Sequence, residues 1–219
     1  TSEENGFHGI SVNGSATPTL EDNTLQRNKE TGLVYFGTSG GAARRNTATG
    51  NGLHGIGTNE QSKPTLENNT CSNNTQVGMR FAGDSAPGVT GNTCSGNTLS
   101  GIIVTGNATP TLNQNNSSDN QESGLAYFEN GAGEANDNEF WRNTLQGISM
   151  DGNAAPTIEG NLMAENKEAG LRISGDSHPT VRNNEVYGHG LSGIIVRENA
   201  QPTLENNNSH DNGRGVAVH

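Results

Sequence analysis

The chain is poor in nearly everything that ordinarily builds a core or a charged site. Only 4% of its 219 residues are aromatic and 28% hydrophobic. With a net charge of -11, that composition matches chains that stay disordered because they bury too little apolar surface to offset the entropy of folding. No apolar run approaches the length of a membrane-spanning helix, so a membrane span is excluded. Lys and Arg number 12 against 23 Asp and Glu, which makes nucleic acid an unsuitable partner, since a phosphate backbone is tracked by clustered cations. Two cysteines are too few for a disulfide framework or a cysteine-rich zinc site. There is no signal-peptide pattern, and a start at Thr1 rather than Met suits a processed or partial chain.

What is present is 31 Gly, 7 Pro and 32 Asn, and their order is periodic. A glycine followed by an apolar residue recurs at Gly9, Gly32, Gly55, Gly78, Gly101, Gly124, Gly147, Gly170 and Gly193, always 23 residues apart; the last copy, Gly215, arrives one residue early. Disordered sequence does not hold phase in this way, so the chain is a repeat protein. After each glycine, apolar residues alternate with period 2, as in Ile10 and Val12, Leu33 and Tyr35, or Ile102 and Val104, which predicts a strand with one buried face. A second strand centres on Leu20, Leu66, Leu112, Ile158 and their equivalents, preceded by proline in seven of nine copies. A third centres on Leu25, Cys71, Cys94, Phe140, Val186 and the rest of that column.

Three strands returning in one order every 23 residues, with no reversing signal and no room for a crossover helix, predict a parallel β-solenoid. One repeat makes one turn, and like residues stack on neighbouring turns. The expectation is an all-β fold with three strands per turn, about nine and a half turns and a rod roughly 45 Å long. A column of small residues including Ala16, Ser39, Ser62, Ala108 and Ser177 marks a tight corner. Two asparagine columns are expected to form hydrogen-bonded ladders. One is Asn23, Asn46, Asn69, Asn92, Asn115, Asn138, Asn161, Asn184 and Asn207. The other runs from Asn5 in the same steps to Asn166, then His189, then Asn212. A longer rhythm of four turns also shows, for residues from Gly78 and from Gly170 read alike, and Tyr35-Phe36 matches Tyr127-Phe128.

The turn GIIVTGNATPTLNQNNSSDNQES, with its glycine-apolar strand, small corner, Pro-Thr-Leu and paired asparagines, resembles the right-handed parallel β-helix repeat of the carbohydrate-binding and sugar-hydrolase (CASH) type. That type also occurs in NosD-like proteins and in the β-helical region of F-box proteins. The resemblance covers almost the whole chain and implies right-handedness. It implies no single function, because the group holds lyases, hydrolases, epimerases and non-catalytic scaffolds.

Chemistry is harder to find than fold. Gly188-His189-Gly190 resembles the GHG tripeptide of polygalacturonases, but the paired carboxylates that such hydrolysis needs are missing and His189 sits in a ladder column. The acidic column Glu21, Glu67, Glu159 and Glu205 is interrupted by Arg44 and Arg182 and reads as solvated surface rather than a calcium site. Arg80 and Arg172 are four turns apart, too far for one small site, and His8 and His54 are separated by Thr31. No metal site and no cofactor are expected. Cys71 and Cys94 stack within disulfide range, though two reduced core thiols are the favoured reading. A threonine column at Thr19, Thr65 and Thr111 lacks the second rank that ice binding needs.

Trp141 and Tyr187 fall outward on the third strand, two turns apart with Ala164 between. Exposed rings stack on sugar rings, so this column, flanked by Arg142, Glu165, His210 and Asp211, is where a glycan would bind; contact with a protein, or no role, is the other reading of the same rings. The sequence thus predicts a single β-helix domain over residues 1–219, part of a longer polypeptide or associating end to end, since neither end carries a cap. Its expected role is a non-catalytic scaffold presenting long faces to a polysaccharide or protein partner, with a polysaccharide lyase, hydrolase or epimerase as the alternative. An extracellular or cell-surface location is the slightly favoured expectation.

Overall fold

The computed structural model describes residues 1–219 and contains strands, turns and bends without a helix. The strands form three parallel sheets of ten, nine and ten strands. A single turn shows the order: Ile102–Val104 belongs to the first sheet, Thr111–Asn113 to the second and Asn116–Ser118 to the third. Each strand pairs with its equivalent one repeat on, as Met79 with Ile102, Val89 with Leu112 and Cys71 with Cys94. The last turn is one residue short, and Ile194 pairs with Val216.

The alternation that identified the strands also fills the interior. Leu33, Ile56, Met79, Ile102 and Leu125 are fully buried in the first sheet, as are Leu66, Val89 and Leu112 in the second. These side chains join one core cluster of 32 residues that runs the length of the rod. Large and small side chains balance within turns. Tyr35 shares its turn with Ala43, and Tyr127 with Ala135, where other turns carry Leu, Ile or Val at the second position. In those two turns the residue before the second strand is Gly41 or Gly133, with φ of 85° and 96°. Proline cannot take a positive φ, which is why these turns lack it.

The repeated glycine is needed for a different reason. A Cβ on Gly78 would lie 2.6 Å from the Gly101 carbonyl oxygen and 2.9 Å from the Asn97 amide nitrogen. Stacked backbones approach too closely there for any side chain.

Both asparagine columns form ladders. Asn115 is typical: its Oδ1 accepts from the backbone N–H and from Nδ2 of Asn92, while its own Nδ2 donates to the Val89 carbonyl and to Asn138 Oδ1. The ladder asparagines are not themselves the left-handed residues of the corners. The left-handed residue is the one before each ladder asparagine, for example Asp22, Arg45, Gln114, Asp137 and Asn183 in one column. Arg27, Asp119, Arg142, Glu165 and Asp211 hold that place in the other, and glycines, asparagines or Glu4 hold it elsewhere. The ladder overrides local preference: the tight corner aims each amide at its neighbour, and the hydrogen bonds offset the strain.

Cys71 and Cys94 are buried free thiols on adjacent turns. Burial and their mutual hydrogen bond push the Cys71 thiol well above its usual range.

Candidate functional site

On the outer face of the third sheet, Ser118, Trp141, Ala164, Tyr187 and His210 succeed one another in register. The small Ala164 leaves a gap between the two rings, and Leu162 lies beside it in the same strand. Trp141, Tyr187, Leu162, Ala164, Glu139 and Glu165 line a cleft of about 270 Å³. Its base is apolar, its two ends are aromatic and its edges carry carboxylates. Such a shape offers ring faces for stacking and acceptors for hydroxyl groups.

The expected flanking residues are only partly available. Arg142 lies over the Trp141 ring at 3.5 Å from its centroid, and its guanidinium donates to both oxygens of Asp119 at 2.8 and 2.7 Å. Arg142 therefore stiffens one face of the indole rather than reaching into the cleft. Its hydrogen bond and charge hold the Asp119 carboxyl below the usual carboxylate range. His210 stacks on Tyr187 with ring centroids 5.2 Å apart, and its nitrogens meet Asp211 at 2.8 Å and Glu185 at 3.3 Å. Those hydrogen bonds raise the affinity of His210 for a proton. Of the six residues, Trp141, Tyr187 and Glu165 line the cleft, whereas Arg142, His210 and Asp211 buttress its ends.

The second sheet's outer face is an ion-pair ladder. Arg44 bridges Glu21 and Glu67, and Arg182 pairs with Glu159, so the arginines that break the acidic column also neutralise it.

The GHG tripeptide proves to be a ladder rung. Gly188 takes the left-handed corner with φ of 71°, and His189 is buried in the asparagine column. Its Nδ1 accepts from the Asn166 backbone N–H at 3.1 Å, as an asparagine Oδ1 would. Its Nε2 donates to the Met163 carbonyl at 3.1 Å, as an asparagine Nδ2 would. Burial lowers its affinity for a proton.

Sequence reasoning placed no site on the outer face of the first sheet. Several of its outward residues are in fact buried, among them Val34, Ala126, Ser149 and Ile195. Side chains from the strand edges rise around them and form clefts, one at the last turns around Ile195, Arg197 and Arg214 and two farther along the rod. In one of these two, Val34, Gly57, Phe36, Leu53, His8, His54 and Arg80 come together. In the other, Ala126, Ser149, Phe128, Leu145, Gln146, Glu122, Glu168 and Arg172 do. His54 Nδ1 is buried without a hydrogen-bond partner. Burial, followed by the charges of Arg80 and His8, pulls its pKa down to about 4. The four-turn rhythm was the signal that could have revealed these two clefts, because their residues match at that interval.

Comparison with known proteins follows this geometry. No curated protein sequence matches the chain significantly. Among solved structures, the periplasmic alginate epimerase AlgG is similar with a TM-score of 0.79 at 17% identity, over 94% of this chain and 61% of that one. The A-module of the Azotobacter vinelandii mannuronan C-5 epimerase AlgE4 is similar with a TM-score of 0.78 at 16% identity, over 90% and 61%. The chain therefore spans less than two thirds of either neighbour, and likeness at such identity speaks for the fold alone. The model of the right-handed β-helix region matches residues 8–161 and 128–219. With three parallel sheets, a 23-residue turn and that match along nearly its whole length, the chain belongs to the right-handed β-helix family.

Proposed function

We propose that the protein is a recognition scaffold for a glycan, held at the third-sheet cleft without chemical change to it. The observation that carries this reading is the pair of rings, Trp141 and Tyr187, at the two ends of an apolar base formed by Leu162 and Ala164. A sugar has one apolar ring face and a hydroxylated edge, and the cleft offers aromatic faces together with Glu139 and Glu165 as acceptors. Extracellular or cell-surface placement suits such a ligand, and the periplasmic setting of AlgG agrees with it. The single domain is proposed as one module of a longer polypeptide.

A second reading, a lyase or epimerase, is favoured by one specific observation. His54 is held neutral and unpartnered in the same cleft as Arg80. A neutral imidazole can accept a proton from a carbon next to a carboxylate, while a guanidinium stabilises the charge that develops on that carboxylate. The two readings separate in one screen. The protein is titrated with neutral and uronate polysaccharides, and binding is read alongside new reducing ends, unsaturated ends and C5 proton exchange. Binding without any product supports the scaffold; product formation that disappears in His54→Gln overturns it.

A further inference from the structure

The pairing of arginines singles out the first sheet's outer face. Arg27, Arg44, Arg45, Arg142 and Arg182 each pair with a carboxylate, and all five lie on other faces or their corners. The remaining four, Arg80, Arg172, Arg197 and Arg214, form no ion pair, and every one lines a cleft on the first-sheet face. In a chain of net charge -11 this is not for want of carboxylates. Glu122 and Glu168 line the same cleft as Arg172, yet they accept from Ser100 and Gln146 instead. Arg172 Nε is buried with no partner. A buried N–H of a charged group left unpaired is costly, so an incoming acceptor gains what the protein itself does not supply.

Two of these clefts also correspond in position. Arg80 and Arg172 are separated by four repeats of 23 residues, as are Phe36 and Phe128 on the two rims. We propose that the two clefts are twin sites that take carboxylates of one linear acidic polysaccharide at points four turns, about 19 Å, apart. This rests on the glycan reading above and adds a second face, a ligand charge and a two-point mode. A guanidinium fork matches a carboxylate, and a phenylalanine rim offers a surface for the ring that bears it. A polymer of identical units would meet an arginine and a phenylalanine at matching places along a straight face. The chain's negative charge and the neighbouring glutamates oppose a denser polyanion such as a nucleic acid.

The test is calorimetric titration with oligogalacturonates and oligomannuronates of graded length, with neutral cello-oligosaccharides as controls. Short acidic oligomers should bind weakly with two equivalents per chain. Oligomers that reach across four turns should bind with one equivalent and about a hundredfold more tightly, because the second contact becomes intramolecular. Arg80→Gln and Arg172→Gln should each reduce the short-oligomer stoichiometry to one and abolish the advantage of length. Circular dichroism confirms that each variant remains folded, and Arg80→Lys and Arg172→Lys should restore part of the affinity. Affinity independent of length, or stoichiometry unchanged in both glutamine variants, overturns the twin sites. If acidic oligomers bind but the loss follows Trp141→Ala alone, the twin sites fall and the glycan reading stands. If no glycan of either kind binds, both fall.

Discussion

His189 shows how one residue can look catalytic and be structural. It reproduces two of an asparagine's four ladder contacts, and only when neutral, with hydrogen on Nε2 and a lone pair on Nδ1. Its pKa is lowered in the fold, as is that of His54, so the unfolded chain takes up these protons first. Their contribution to stability is complete above the unfolded value of about 6.5 and declines as pH falls toward the folded values. For His54 the decline ends near pH 4. Thermal melts should therefore show a falling midpoint between about pH 6.5 and 5, above the main carboxylate range. His189→Asn should raise the midpoint and flatten this slope; an unaltered slope would show that His189 does not titrate on unfolding. Backbone strain gives a second residue-scale prediction. Gln114 holds φ of 52° at a corner where Gly91 and Gly160 stand in other turns. Gln114→Gly should stabilise by about 1 kcal/mol in denaturant titration, because glycine bears no left-handed penalty.

At the scale of single elements, the ladders compensate for a small core, and their cost of interruption should depend on position. The Asn115 side chain makes four ladder hydrogen bonds in a buried setting, and its loss strands partners on both sides. Asn115→Ala should cost about 2–5 kcal/mol, summing several bonds at roughly 1 kcal/mol with the penalty for stranded groups. Asn23→Ala, at the half-buried first rung of that ladder, should cost clearly less by the same measurement. Equal losses would argue against a ladder whose strength lies in neighbours on both sides. On the third sheet, Trp141→Ala should weaken glycan binding by about 0.5–1.5 kcal/mol, the scale of an aromatic pair, with little change in melting. Undiminished affinity in both Trp141→Ala and Tyr187→Ala would remove that cleft from consideration.

The whole molecule was legible from sequence wherever one residue type must recur at one place. Gly78 and its equivalents recur because a Cβ would strike the next turn, and Asn115 and its equivalents because each amide needs its like above and below. What could not be read is set by neighbours rather than by type. Several left-handed corners carry Arg, Glu or Gln, as at Arg45, Glu165 and Gln114, residues that give no local sign of that conformation. The outward aromatics were visible as a column, yet the engagement of Arg142 by Asp119 depends on two turns at once. The first-sheet clefts left only the four-turn rhythm as a trace, because their walls come from strand edges on several turns.

Interchangeable turns make a final, whole-molecule prediction possible. Removing residues 147–169 takes out one complete repeat and brings the Gly124 turn onto the Gly170 turn with every column in phase. Asn138 would then meet Asn184, and Leu125 would meet Leu171, so ladder and core both close again. Because each turn contacts only its neighbours, the shortened rod should fold and keep its β circular dichroism with a modest loss of stability. A deletion of half that length, residues 147–157, should abolish folding, because it throws every later side chain out of its column. The full-turn deletion also removes Leu162 and Ala164 and brings Trp141 against Tyr187, which closes the third-sheet cleft. Glycan binding there should vanish from a protein that is still folded. A shortened chain that melts without cooperativity would show that the turns are not equivalent, and one that still binds through Trp141 would show that the gap between the rings is not the site.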